Sequence, residues 1–152
     1  MAKEEIKEEI LKKCKERINT QIHNIEKTIA SNRKALESET KSSAGDKHET
    51  GRAMLQLEME KASQQFASVN QMYQIINRIS LEVNTEIISL GSVVKTSFQY
   101  YFLSVSIGEI KVDDQVYYAV SPKSPIGNLL LGKRVGDEVV FNGIKIEILE
   151  IF

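Results

Sequence analysis

Ile6, Ile10, Cys14, Ile18, Ile22, Ile25, Ile29 and Leu36 follow one another mostly at three- or four-residue steps, with polar residues between them. That spacing draws one apolar stripe along a long helix. From about Lys3 to Glu39 neither Gly nor Pro interrupts it. A second stripe, Leu55, Met59, Ala62, Phe66, Val69, Tyr73 and Ile76, alternates steps of four and three. That is a heptad repeat. Between the stripes lies the small, polar run SSAGDKHETG, Ser42 to Gly51. Two long helices with matching stripes and a Gly-containing turn predict an antiparallel helical hairpin over residues 1–80, its tip near 42–50. At 1.5 Å per residue each arm is about 45–55 Å long.

The pattern changes from about Glu86. Short β-branched and aromatic runs replace the stripe: SVVKT (92–96), YYFLSVSIG (100–108), QVYYAV (115–120), DEVVF (137–141) and IKIEILEIF (144–152). These read as strands. Asn142-Gly143 between the last two is a hairpin turn signal, and Asp113-Asp114 marks another turn. In SPKSPIGNLLLGKRVGD, Pro125 can start a short helix running through Asn128–Leu131, and Gly132 can stop it. Residues 86–152 are therefore expected to form a small, mostly antiparallel β domain with one short helix, and the chain as a whole an α+β protein. The boundary is expected near Ile79–Ile87.

The 152 residues carry 41% hydrophobic and 27% charged side chains, a globular balance. The formal net charge of −1 gives no global attraction to duplex nucleic acid. No apolar run approaches the roughly 20 residues of a membrane span, and the charged start MAKEEIKEEILKKCKER is unlike a signal peptide. A cytoplasmic protein is expected, with no membrane partner. Cys14, the only cysteine, rules out an internal disulfide and a cysteine zinc cluster. It sits on the first stripe and reads as a small buried hydrophobe. His23 and His48 are lone histidines, suited to surface or packing roles. Neither a P-loop nor G-x-G-x-x-G occurs, and no Ser-centred nucleophile motif is present. An autonomous enzyme is not expected.

Asp46 and Glu49 stand three apart where the second helix begins. As N-cap and N3 they make an acidic capping box, favoured by the positive end of the helix dipole. The same spacing puts two carboxylates on one face, where they could hold a hard cation such as Mg²⁺. Two are too few for a tight site, because Mg²⁺ takes six oxygens; a partner would supply the rest.

LGSVVKTSF (90–98) followed by VSPKSPIGNLLLGKRVGDEVVF (120–141) resembles the C-terminal domain of the Gre-type transcript cleavage factors of bacterial RNA polymerase. Ser124, Pro125, Gly127, Leu130, Leu131, Gly132, Lys133, Val135, Gly136 and Asp137 fit the family's run, as do Leu90, Gly91, Ser92 and Val94 before it. The order of a long hairpin and then a small sheet domain fits too. The resemblance implies an FK506-binding-protein-like sheet domain that docks at the polymerase's secondary channel. Ser124, Pro125, Gly127, Leu130, Leu131, Gly132 and Lys133 would then be partner-binding residues. It also implies a coiled coil entering that channel. Gly45, Asp46 and Glu49 match the family's acidic tip, which helps position a catalytic Mg²⁺ and its attacking water within the polymerase. The chain would be a monomer that binds no cofactor alone and contacts nascent RNA only indirectly. A channel-binding regulator without cleavage activity, a scaffold hairpin with an unrelated partner, and a peptidyl-prolyl isomerase are the alternatives.

Overall fold

The computed structural model describes the backbone of residues 2–41 and 46–152, and the side chains of those residues except 39–41 and 46–48. Two long helices come first, α1 (Lys3–Lys41) and α2 (Asp46–Arg78). Six strands and one short helix follow: β1 (Val93–Thr96), β2 (Tyr100–Leu103), β3 (Gly108–Val112), β4 (Gln115–Val120), α3 (Pro125–Leu130), β5 (Glu138–Phe141) and β6 (Ile144–Ile151). The α+β class expected from the periodicities is the one observed. The chain divides into two compact units, Ile18–Tyr73 and, together, Met1–Arg17 with Gln74–Phe152.

In the Ile18–Tyr73 unit the apolar stripes make a thin seam. Ile18, Ala62 and Val69 are buried, whereas Ile22, Ile25, Ile29, Leu36, Leu55, Met59 and Phe66 are half-buried. Two helices can shield each other's stripe from one side only, so most seam residues keep a wet edge. Asn32 occupies the stripe position between Ile29 and Leu36, and its Nδ2 is buried with no hydrogen-bond partner. His23 is exposed.

In the other unit the six strands form one sheet in the order β3-β4-β2-β1-β6-β5. Every neighbouring pair is antiparallel except β2 with β4, which run parallel from Tyr100↔Tyr117 to Leu103↔Val120. One parallel pair among five fits the mostly antiparallel sheet expected, and β3 is its cause. The YYFLSVSIG run reads as one strand but breaks after Leu103, and the chain crosses to the sheet edge as β3. The Asp113-Asp114 turn then returns it as β4, antiparallel to β3 and hence parallel to β2. Both aspartates have positive φ, 47° and 65°, as do Asn142 at 49° and Gly143 at 78°. Two central residues with positive φ match the twist of the flanking strands, so each two-residue turn closes a tight hairpin.

The sheet's core gathers Ile88, Val94, Tyr101, Leu103, Ile126, Leu130, Val139, Ile146, Ile148 and Ile151. The first turns of α1 belong to this unit. Ile10, Leu11 and Cys14 are buried, Lys3 pairs with Glu150 at 2.8 Å, and Arg17 Nη1 donates to the carbonyl of Ile107 at 2.9 Å. Lys7 is 3% exposed, and its ammonium donates to the carbonyl of Glu82 at 2.8 Å. Burial lowers the Lys7 pKa from its ordinary value. Burial pushes the Cys14 thiol up to about 12, with the nearby Arg17 charge pulling the other way. At neutral pH that sulfur is a protonated thiol and a poor nucleophile.

Candidate functional site

Two regions carry the residues singled out by the sequence. The first is the start of α2. The helix runs from Asp46, and Glu49 lies in its first turn with its side chain exposed to solvent. Ser42–Gly45 and the side chain of Asp46 lie outside the described residues, and so do the tip turn and the capping box. Among the described residues no group of three or more His, Cys, Asp or Glu side chains could hold a metal. Glu49 is thus a solvent-facing carboxylate with no described metal cluster around it. Any Mg²⁺ there would need oxygens from elsewhere, because the ion takes six.

The second region is the segment from Ser121 to Asp137, where each motif residue has a definite place. Ser124 caps α3: its Oγ accepts from the Gly127 amide at 3.2 Å and donates to the Ser121 carbonyl at 2.6 Å. One hydroxyl thereby closes the turn before the helix and satisfies an amide that the helix leaves unpaired. Pro125 takes the first helical position, where its missing N–H costs nothing. Gly127 is buried, and a Cβ there would lie 1.9 Å from the Ser121 carbonyl oxygen. Only glycine lets the turn close over the helix. Leu130 is completely buried in the core.

The chain leaves α3 through a locked loop. The Gly132 amide donates to the Ile88 carbonyl at 2.8 Å, and the Ile88 amide donates to the Lys133 carbonyl at 2.9 Å. The Arg134 amide donates to Asp137 Oδ2 at 2.8 Å, and the Asp137 amide returns to the Arg134 carbonyl at 3.0 Å. The seven residues expected to bind a partner therefore divide. Gly127 and Leu130 build the segment from inside and Ser124 ties it together, whereas Pro125 and Gly132 are exposed, Leu131 is 44% exposed and Lys133 is half-buried. Sequence reasoning passed over Lys123, Arg134 and the exposed face of Val135. The run K-x-x-x-x-x-x-x-x-x-K-R around one apolar helix was the available signal.

This segment lies within residues 84–152, which match the family described as "Transcription elongation factor, GreA/GreB, C-term". The C-terminal domain belongs to the GreA/GreB family. Its capped α3, buried Gly127 and locked 132–137 loop are the physical content of the SPKSPIGNLLLGKRVGD run in this GreA/GreB domain. Among solved structures, one titled "Structure of the transcription factor Gfh1" is 23% identical to this chain. The match covers 90% of this chain and 92% of that one, with a TM-score of 0.36. A comparison with curated proteins yields no match.

Proposed function

We propose that this chain is a transcription elongation factor that binds bacterial RNA polymerase at its secondary channel and stimulates cleavage of backtracked RNA. The observation that carries this reading is the GreA/GreB C-terminal domain over residues 84–152. Two helices of 39 and 33 residues, with an exposed Glu49 in the first turn of the second, support it. In this reading the protein acts in the cytoplasm as a monomer, and the polymerase is the enzyme.

The division of labour follows from chemistry. Phosphodiester hydrolysis by two metals needs a cation at the attacking water and one at the leaving oxygen. The polymerase's Mg²⁺ supplies that electrophilic chemistry. Asp46 and Glu49 would add carboxylate oxygens to the incompletely held ion and accept hydrogen bonds from its water. Each 1.36 kcal/mol removed from the barrier is about tenfold in rate, so positioning alone can be large.

The test uses stalled, backtracked polymerase, with RNA cleavage followed over time. Wild type is expected to stimulate cleavage. Asp46→Ala/Glu49→Ala is expected to bind equally well and stimulate at least tenfold less. Binding without stimulation by wild type would replace this reading with a channel-bound regulator. No binding would remove polymerase from the account.

A further inference from the structure

One row of side chains crosses the sheet on the face away from α3. Glu150 of β6 stands opposite Lys95 of β1, Lys95 opposite Tyr100 of β2, and Tyr100 opposite Tyr117 of β4. Val94 and Tyr101 pack in the core with Leu130 of α3, so their neighbours Lys95 and Tyr100 point to the other face. The Tyr100 and Tyr117 rings have centroids 5.9 Å apart, and Lys95 Nζ lies 5.4 Å from the Tyr100 centroid. Lys95, Tyr100 and Tyr117, with Asp113 and Gln115 of the β3–β4 hairpin and Ile6 of α1, line a cavity of about 250 Å³. All of them belong to the unit of Met1–Arg17 and Gln74–Phe152.

Two observations point to a ligand. Tyr117 is only 3% exposed, yet its hydroxyl has no hydrogen-bond partner among the described residues. A buried hydroxyl without a partner costs free energy, which a ligand acceptor would recover. Burial raises the Tyr117 pKa, and the neighbouring Tyr100, Glu150 and Asp113 raise it further, so the phenol keeps its proton at neutral pH. The charges at the two ends of the row are also unbalanced. Glu150 is shared by Lys3 at 2.8 Å and Lys95 at 3.6 Å, one acid for two bases. At the other end Asp114 pairs with Lys111, whereas Asp113 makes no ion pair among the described residues.

We infer that this cavity binds a short peptide with free termini, its carboxylate held by Lys95, its ammonium by Asp113 and a backbone carbonyl by the Tyr117 hydroxyl. Length follows from the sheet. Adjacent strands lie about 4.8 Å apart, so the row from Lys95 to Tyr117 spans about 10 Å. An extended chain covers about 3.3–3.6 Å per residue, so about three residues match that span. The Tyr100 ring and Ile6 offer an apolar wall to the middle side chain. A single amino acid is too short to reach both charged ends, and a polyanion lacks the cation that Asp113 would meet. The site lies across the sheet from the α3 segment and stands without the polymerase reading.

The experiment titrates the full chain with alanyl-leucyl-alanine and follows backbone amide shifts by nuclear magnetic resonance. Saturable shifts below about 10 mM, gathered at Lys95, Tyr100, Asp113 and Tyr117, are expected. Acetylating the peptide's amine or amidating its carboxylate should each weaken binding about tenfold. Asp113→Asn should remove the cost of acetylation and Lys95→Met that of amidation, a pairing that a merely structural role would not produce. Tyr117→Phe should weaken binding severalfold and leave thermal stability unchanged or raised, because the hydroxyl it removes is unpaired. The absence of any saturable shift overturns the site. Equal binding of the doubly blocked peptide overturns the assignment of its two ends, and shifts centred away from these residues overturn its location.

Discussion

In the sheet domain Leu103, Leu130, Ile146 and Ile148 are completely buried, and Ile151 is nearly so. In the hairpin unit Ile22, Ile25, Ile29 and Leu36 are only half-buried, while Met54 and Leu57 are 61% and 67% exposed. The side chains are of similar chemistry, but the geometry around them differs. A sheet covered by a helix closes an interior on all sides, whereas a two-helix seam closes one side. The sheet domain is therefore where packing stability concentrates. The hairpin unit buries less of each apolar side chain along its seam.

The sharpest test of that contrast is a pair of truncations. Leu130→Ala removes a core side chain and is expected to destabilise the sheet domain by about 2–5 kcal/mol. Ile29→Ala, on the half-wet seam, is expected to cost only about 1–2 kcal/mol, in proportion to the area it buries. Amide hydrogen exchange, which reads the two units separately, checks both. Equal costs would break the comparison.

Glycines offer a second contrast, inside the sheet domain alone. Gly127→Ala forces a methyl against a carbonyl oxygen that belongs to the backbone, so the Ser121–Ser124 turn must shift. A loss of about 1–3 kcal/mol is expected. Gly132→Ala has open space but a φ of +81°. Its penalty is conformational only, about 1–2 kcal/mol. Urea melts rank the two. A Gly127→Ala protein as stable as wild type would mean the turn yields freely.

These glycines show what the sequence could reveal. Gly132 after an apolar run, Pro125 after a serine and Asn142-Gly143 between strands are local signals, legible because each residue type solves one backbone problem. The helix stripes were legible for the same reason. The crossover of β3 was not, because YYFLSVSIG reads as one strand and the break after Leu103 comes from sheet pairing. Nor could the sequence separate Leu130 from Leu131: adjacent in the motif, one fills the core and the other meets solvent. At the tip the sequence named Asp46 and Glu49, and the structure describes only the exposed side chain of Glu49. Asn32 could have been read, since it falls on the seam at 29, 32, 36, but a search for apolar residues steps over it.

Asn32 gives a prediction of opposite sign. Its buried, unpartnered amide nitrogen is a cost that Asn32→Leu would remove, so the hairpin unit should gain about 1 kcal/mol. A polar residue on a coiled-coil seam also disfavours shifted registers. The leucine variant should therefore be more protected from exchange yet show more than one seam conformation by nuclear magnetic resonance. A loss of protection would mean the amide is satisfied in solution.

The remaining effects lie in the pH dependence, and the buried groups of α1 set their signs. Lys7 has a folded pKa below its unfolded value of about 10.5, because burial penalises the ammonium. The unfolded chain binds that proton more tightly. Lys7's contribution to stability is thus full above about pH 10.5 and falls away as pH drops through the folded pKa. Cys14 runs the other way: its folded pKa of about 12 exceeds the unfolded 9.0. Its contribution is full below pH 9.0 and is lost as pH rises toward 12. Urea midpoints between pH 8 and 11 should therefore fall less steeply with pH in Cys14→Ala than in wild type. Lys7→Met should remove an opposing upward slope, so its midpoints should fall more steeply. A thiol reagent at pH 8 should leave native Cys14 unmodified and label it fully in urea. Rapid labelling of the native protein would place that sulfur in solvent and remove the burial on which both slopes rest.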